Sequence, residues 1–283
     1  MNSDIIFVAD VFVDQIIGGG ELNNDELIKI LRSQGCTVTE KKSYEITLGF
    51  LKSRLKSKFI ISNFIFLPLE IKDFIEQKCD YLIYEHDHKY LTTRDPSVFE
   101  NYQAPKNNII NLNFYKNAKA VLCQSKLHAE VVKKNLGFNN IVSVGGNLWS
   151  LDSLNFLREM NKKAKKDRYS IWKSENPIKN TSKTIMFCKH KNYDFDLVGN
   201  LPYRDFLNKI TDNKNFVFFP ETLETLCRVA VECRMAGMSV LTSDKIGAAS
   251  EDWFSLKGDD LIDKMLEKRE EIPSLVLEVL NNE

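Results

Sequence analysis

Residues 216–242 read FVFFPETLETLCRVAVECRMAGMSVLT: an apolar aromatic run, a helical stretch and a second β-branched run. The opening run is apolar without alternation, as in a strand covered on both faces. Residues 224–236 carry the helical pattern and close on the small pair Ala236-Gly237, before a strand at 239–242. Strand, helix, strand in this order is the repeating unit of a parallel α/β sheet.

Working outward, the same alternation fills the chain. Strands are predicted at 169–172 and 195–198, with helices at 150–166, 181–191 and 203–211. Earlier still come strands at 5–8, 37–39, 59–62, 81–84, 120–123 and 141–144, with helices at 24–33, 106–117 and 125–135. Two Rossmann-like, doubly wound parallel-sheet domains are therefore expected, 1–147 and 148–264, with a length of 283 residues that suits two domains. Gly145-Gly146-Asn147 is the expected hinge, because glycine absorbs changes in φ and ψ. The last helix, about 265–283, is expected to pack back on the first domain. Such a pair of sheets faces an interdomain cleft at the strands' carboxyl ends, where ligands are expected.

Composition narrows the function. Lys plus Arg and Asp plus Glu number 39 each, so no global basic field marks a nucleic-acid binder. The six cysteines, Cys36, Cys79, Cys123, Cys188, Cys227 and Cys233, form no C-x-x-C pair. That argues against a zinc site or a disulfide framework and for a reducing compartment. The start, Met1 to Asp10, lacks the features of a signal peptide, and no apolar run reaches the roughly 18 residues of a membrane span. A cytoplasmic protein is expected, with contact at a membrane surface left open.

Two motifs carry chemistry. Gly18-Gly19-Gly20-Glu21 follows the first strand and precedes the helix expected at Asn24, so backbone can approach a ligand and a helix N-terminus can face an anion. A flexible loop, with Asn23 and Glu26 as a capping box, is the competing reading. The motif is not G-x-G-x-x-G, which counts against a dehydrogenase. In the second motif, Glu224 and Glu232 stand eight residues apart on the helix expected at 224–236, roughly 12 Å along its axis. Carboxylates accept hydrogen bonds from sugar hydroxyls, and the N–H groups of Thr225, Leu226 and Cys227 at the helix start can meet a diphosphate. The plain alternative is a dipole-complementing Glu224 and a solvated Glu232, but 226–240 is too apolar for an exposed face.

Pro220 to Gly237 resembles the E-x7-E signature of retaining GT-B glycosyltransferases, especially glycosyltransferase family four. The resemblance implies that Glu224 binds the transferred sugar and Glu232 the nucleotide ribose. Val240 to Asp244, then Ile246-Gly247, matches the strand and loop that follow in the family. Thr225-Leu226-Cys227 departs from it, since the family usually has glycine and an aromatic there; these side chains narrow the sugar pocket. Lys173 and Lys179, after the strand at 169–172, match in type the two basic residues that the family turns to the donor diphosphate. Gly18–Glu21 resembles the family's Gly-Gly-x-Glu loop, giving Gly19, Gly20 and Glu21 to the donor. His86, Asp87 and His88 follow the strand where the family carries a histidine or aspartate near the donor sugar, and which of the three faces the ligand stays open. The implied substrate is a nucleotide-diphosphate sugar, with no resident cofactor and no metal.

Other features compete. Asp194-Phe195-Asp196 matches a metal-holding D-x-D and is read as an exposed strand entry. His86-Asp87-His88 could belong to a metal-dependent phosphoesterase. The departure after Glu224 keeps open a non-catalytic nucleotide-binding module. The basic stretches 52–58 and 162–168 are usually solvated faces; the sharper reading is that one guides an anionic acceptor, a lipid-linked glycan or a modified nucleic-acid base.

Overall fold

The computed structural model describes residues 3–282. The chain divides into two compact units, Met1–Trp149 with Lys268–Glu283, and Ser150–Glu267. The segment 145–147 lies within the first of them.

In the first unit β1 (Asp4–Ala9), β2 (Thr37–Lys42), β3 (Lys58–Ile61), β4 (Asp80–Glu85), β5 (Val121–Cys123) and β6 (Ile141–Ser143) form one parallel sheet. Its strand order is β2-β1-β3-β4-β5-β6. The helices are α1 (Gly19–Ser33), α2 (Leu48–Ser53), α3 (Leu69–Lys78), α4 (Leu112–Lys116) and α5 (Lys126–Leu136). In the inner strands β1, β3, β4 and β5 side chains alternate between two cores, which is why these read as apolar runs, whereas the edge strand β2 is largely polar. Ile6, Val8, Phe59, Ile61 and Ile83 meet Leu51, Ile71, Phe114 and Val132 of α2 to α5 on one face. Ile5, Phe7, Ile60, Leu82 and Tyr84 meet Leu27 and Leu31 of α1 on the other, together with Ile272, Val276 and Leu280 from the end of the chain.

The second unit carries α6 (Leu151–Lys162), β7 (Lys166–Trp172), α7 (Thr181–His190), β8 (Phe195–Val198), α8 (Tyr203–Ile210), β9 (Asn213–Phe218), α9 (Arg228–Met235) and β10 (Ser239–Thr242). The strands are parallel in the order β10-β9-β7-β8. Helix α7 packs on β7 and β9, α8 on β7 and β8, and α9 on β9 and β10. The last helix, α10 (Asp259–Asn281), begins in this unit, where Arg158 of α6 bonds Asp259 and Asp263 at 3.3 and 2.6 Å. It ends in the first unit's core.

All the expected strands form, but several helices differ. The helix predicted from Asn24 starts at Gly19, so the glycines build its first turn rather than a loop before it. Asn23 is no cap: it is buried, and its Oδ1 accepts a hydrogen bond from Leu148 N at 2.8 Å. The helix predicted at 106–117 is broken by Asn111, whose φ of 55° is left-handed, leaving a short turn and α4. The helix predicted at 150–166 stops at Lys162, and Lys166 opens β7. The helix predicted at 224–236 begins only at Arg228, because Cys227 takes a φ of 74°. Helices α2 and α3 were not foreseen.

Sheet order shows where the winding reverses. In the second sheet β7 has β8 on one side and β9 on the other, so the chain leaves β7 and β9 toward opposite faces. At such a switch a crevice is expected at the strands' carboxyl ends, here beyond Trp172 and Phe218. The first sheet has the same switch between β1 and β3.

Candidate functional site

The loops leaving β7 and β9 are fastened to each other. Glu221 N donates to Ile178 O at 2.8 Å, and Asn180 Nδ2 donates to Glu221 Oε2 at 2.9 Å. Asn176 caps the turn Pro177–Lys179 by accepting from Ile178 N, and Asn180 ends it with a left-handed φ of 53°. This geometry carries Lys179 back over the end of β7. Its Nζ lies 5.3 Å from the Trp172 ring centroid and 2.6 Å from Glu224 Oε1. Both side chains are largely buried, at 19% and 17% exposure.

Glu224 is not on the helix. Its N–H donates to Lys245 O at 2.9 Å and its carbonyl accepts from Gly247 N at 2.8 Å, a parallel bridge centred on Ile246. Leu226 O accepts from Ala248 N at 3.0 Å. The two glutamates therefore do not share one helical axis, and the 12 Å spacing along such an axis does not apply. Thr225, Leu226 and Cys227 likewise precede the helix instead of forming its first turn. Leu226 and Cys227 are buried, and their N–H groups have no partner among the described residues. Buried amides are nearly always paired, so these two are candidates for an anionic oxygen. Lys173 is exposed on the β7 loop, its backbone N–H tied to Val198 O at 2.7 Å.

Glu232 lies on α9 at 1% exposure. Its Oε1 accepts from the Tyr203 hydroxyl at 2.6 Å, and Arg228 Nε stands 3.5 Å away. Burial, and then the Glu232 charge, push the Tyr203 hydroxyl well above its ordinary value. The reading of Glu232 as a solvated residue fails. Tyr203 and Arg228 were not anticipated as its partners, although Arg228 stands at the i,i+4 spacing that brings side chains together on a helix.

In the first unit the start of α1 lies beside His86: a Cβ on Gly20 would sit 3.6 Å from that ring, an ordinary contact. Glu21, in the same turn, has its carboxyl raised by burial against the opposing pull of Lys89. The His86 ring is buried and held at both nitrogens. Gln124 Nε2 donates to Nδ1 at 2.5 Å, so Nε2–H donates to Asn24 Oδ1 at 2.7 Å. Asn24 in turn donates to Ser62 Oγ at 2.8 Å. Asp87 is occupied elsewhere: it pairs with Lys89 at 2.5 Å and with Arg94. His88 is buried with a left-handed φ of 46°, its Nδ1 3.1 Å from the Tyr90 hydroxyl.

Beneath these residues lies a buried ion pair that sequence reading missed. Lys89 Nζ stands 2.6 Å from Glu85 Oε1, with 2% and 0% exposure, and the Tyr115 hydroxyl donates to the same carboxylate. Burial alone would raise the Glu85 carboxyl, yet the Lys89 ammonium beside it holds it below the usual range. His88 and His128 pack edge-on at 4.7 Å. Burial pushes His88 down to about 4, and burial with the neighbouring His88 pushes His128 down as well.

Asp196 is engaged by Arg168 at 2.9 Å and Asn213 at 3.0 Å, and Asp194 lies just before β8. Among the described residues no group of three or more His, Cys, Asp or Glu is placed to hold a metal ion. In the basic stretches, Lys58 and Lys166 open strands β3 and β7, at the sheet edges opposite the carboxyl ends. Arg54 pairs with Asp4, Lys58 with Asp80, Lys162 with Glu159 and Arg168 with Asp196. No described helix is long and apolar enough to cross a membrane.

No family model and no curated protein matches this sequence. Solved structures do. HepE from Anabaena, in complex with UDP and glucose, is 13% identical, with 99% of this chain and 93% of that one covered at a TM-score of 0.52. An alpha-glucosyltransferase in complex with UDP and a 13-mer DNA containing an HMU base is 10% identical, with 97% and 91% covered at a TM-score of 0.50. The likeness shows the fold: two parallel-sheet α/β domains of the GT-B glycosyltransferase type.

Proposed function

We propose that the chain is a retaining glycosyltransferase whose nucleotide-sugar donor binds at the carboxyl edge of the second sheet. The observation that carries this reading is the meeting of Lys179 and Glu224 at the switch between β7 and β9. Uridine diphosphate sugars are the first donors to test, since HepE and the alpha-glucosyltransferase are both in complex with UDP.

In this reading Lys179, with Lys173 from the same loop and the N–H groups of Leu226 and Cys227, faces the diphosphate. Glu224 accepts hydrogen bonds from sugar hydroxyls and fixes the ring. The bond from the anomeric carbon to the diphosphate oxygen breaks while a bond to the acceptor hydroxyl forms on the same face. The acceptor's proton passes to the departing diphosphate. Cations beside that group stabilise its growing negative charge in the transition state, so a bound metal is not needed. Glu232 serves the ribose, oriented by Tyr203 and Arg228. Gly19, Gly20, Glu21 and His86 line the sugar side, and the acceptor is a hydroxyl of a glycan or of a modified nucleic-acid base.

The test is release of UDP from UDP-glucose, measured with excess chelator present. Turnover by the native chain, abolished in a folded Glu224→Gln variant, supports the reading. Binding of UDP without turnover of any nucleotide sugar would favour the non-catalytic module that the departure at Thr225-Leu226-Cys227 suggests.

A further inference from the structure

A cavity of about 200 Å³ opens in the first unit at the carboxyl ends of β3 and β4. Three cations line it, Lys72, Lys89 and Arg94, beside an apolar wall that includes Phe64, Leu91 and Ile110. They differ in how far they are already neutralised. Lys89 is clamped by Glu85 and Asp87, and Arg94 by Asp87. Among the described residues Lys72 has no carboxylate partner within ion-pair distance. Its Nζ donates one hydrogen bond, to Asn111 Oδ1 at 3.0 Å, and lies 5.6 Å from the Phe64 ring centroid.

A half-buried ammonium with one neutral hydrogen bond is incompletely solvated. Burial accordingly lowers the Lys72 pKa, against the longer-range attraction of Asp10 and Asp73. Two ammonium hydrogens of Lys72 and the outer face of Arg94 remain for a ligand. The Thr92 hydroxyl, which accepts from Asn108 Nδ2 at 3.1 Å, keeps its own hydrogen to donate. Cations converging beside an aromatic ring suit an anion carried on a ring or short apolar stem. The size sets a limit, since a cavity of roughly 150 Å³ holds a benzene.

We propose that this cavity binds the phosphate group of a compact phosphate monoester, with Lys72 as the principal contact and Arg94 at the mouth. The site is independent of the glycosyl-transfer reading. It also lies apart from the basic stretches 52–58 and 162–168, which line no part of this cavity and include the strand starts Lys58 and Lys166.

Phenyl phosphate, inorganic phosphate and phenol serve as probes in titration calorimetry, at constant ionic strength and with saturating UDP to occupy the other anion site. Phenyl phosphate is expected to bind more tightly than inorganic phosphate, and phenol not at all. Lys72→Met, which keeps the apolar stem, is expected to weaken phenyl phosphate roughly tenfold or more, the loss of one charge-assisted hydrogen bond. Lys179→Ala is expected to leave it unchanged. Absence of phenyl phosphate binding by the native chain, or undiminished binding by Lys72→Met, overturns the proposal. Should Lys72→Met not fold, Arg94→Gln decides by the same criterion. A loss confined to Lys179→Ala assigns the phosphate to the second unit and also overturns it.

Discussion

Lys179 and Glu224, 45 residues apart in sequence, form an ion pair of 2.6 Å over the carboxyl end of the second sheet. Neither residue belongs to a long regular element. Lys179 ends a three-residue turn, and Glu224 is fixed by a parallel bridge to Ile246. Cation and carboxylate neutralise each other. A nucleotide sugar would supply both replacements, its diphosphate for the lysine and its hydroxyls for the glutamate.

Replacing Glu224 by Gln keeps the shape and removes the charge. The partly buried Lys179 then loses its counter-ion, so a modest loss of stability is expected, about 1–2 kcal/mol, between the surface and fully buried cases. Denaturant unfolding measures it. A loss above about 4 kcal/mol would mark the pair as a structural keystone rather than an exchangeable latch.

Gly20 separates a structural from a functional role. Its added Cβ would meet the His86 ring at 3.6 Å, an ordinary contact, and the residue is helical. Gly20→Ala should leave stability unchanged or raise it by up to about 1 kcal/mol. If the glycines serve close approach of a ligand, turnover falls while the melting temperature holds or rises. Unchanged turnover would return them to a purely structural role.

Acid should destabilise the first unit well before ordinary carboxylates titrate. His88 has a folded pKa of about 4, below the ordinary histidine value, so the unfolded chain binds its proton first. Its contribution is whole above the unfolded pKa and is lost as pH falls toward 4. From pH 6.5 to 5 the loss is about 2 kcal/mol for this group alone, with His128 acting in the same sense. His88→Asn, which tolerates the left-handed backbone, should flatten the dependence of unfolding free energy on pH over that range. An unaltered slope would exclude His88 as a source.

Tyr203→Phe removes a hydroxyl that donates to the buried Glu232 carboxylate. A loss of about 1.5–3 kcal/mol is expected, as for other hydrogen bonds to charged groups. A double-mutant cycle with Glu232→Gln should give a coupling above about 0.5 kcal/mol; additive effects would mean that the contact contributes nothing.

Legibility in the sequence followed burial. The run at 5–8 was readable because a strand covered on both faces is apolar at every position, while 195–198 and 239–242 are only partly buried and were readable as short aromatic or β-branched runs between helical stretches, ending where expected. The helix at α3 also had a local signal, Pro68 before it and apolar Ile71, Phe74 and Ile75 at helical spacing, which went unused. Other features depend on distant partners. Thr225-Leu226-Cys227 has no helix breaker, yet the bridge to Ile246 and the left-handed Cys227 delay the helix to Arg228. Gly19 and Gly20 read as loop because isolated glycine disfavours helix, whereas α1 begins on them. Glu224 and Lys179 were both named from sequence, but nothing local says that they touch. The Glu85–Lys89 pair stands at i,i+4 but outside any helix, so its spacing alone does not mark it as a buried contact.

The most direct test is titration calorimetry of UDP against the native chain and Lys179→Ala, with folding of both verified by melting. The account predicts binding by the native chain and a drop of at least about tenfold in the variant, as expected for loss of a charged contact to the diphosphate. Equal affinity in the two proteins, or no binding by the native one, would contradict it.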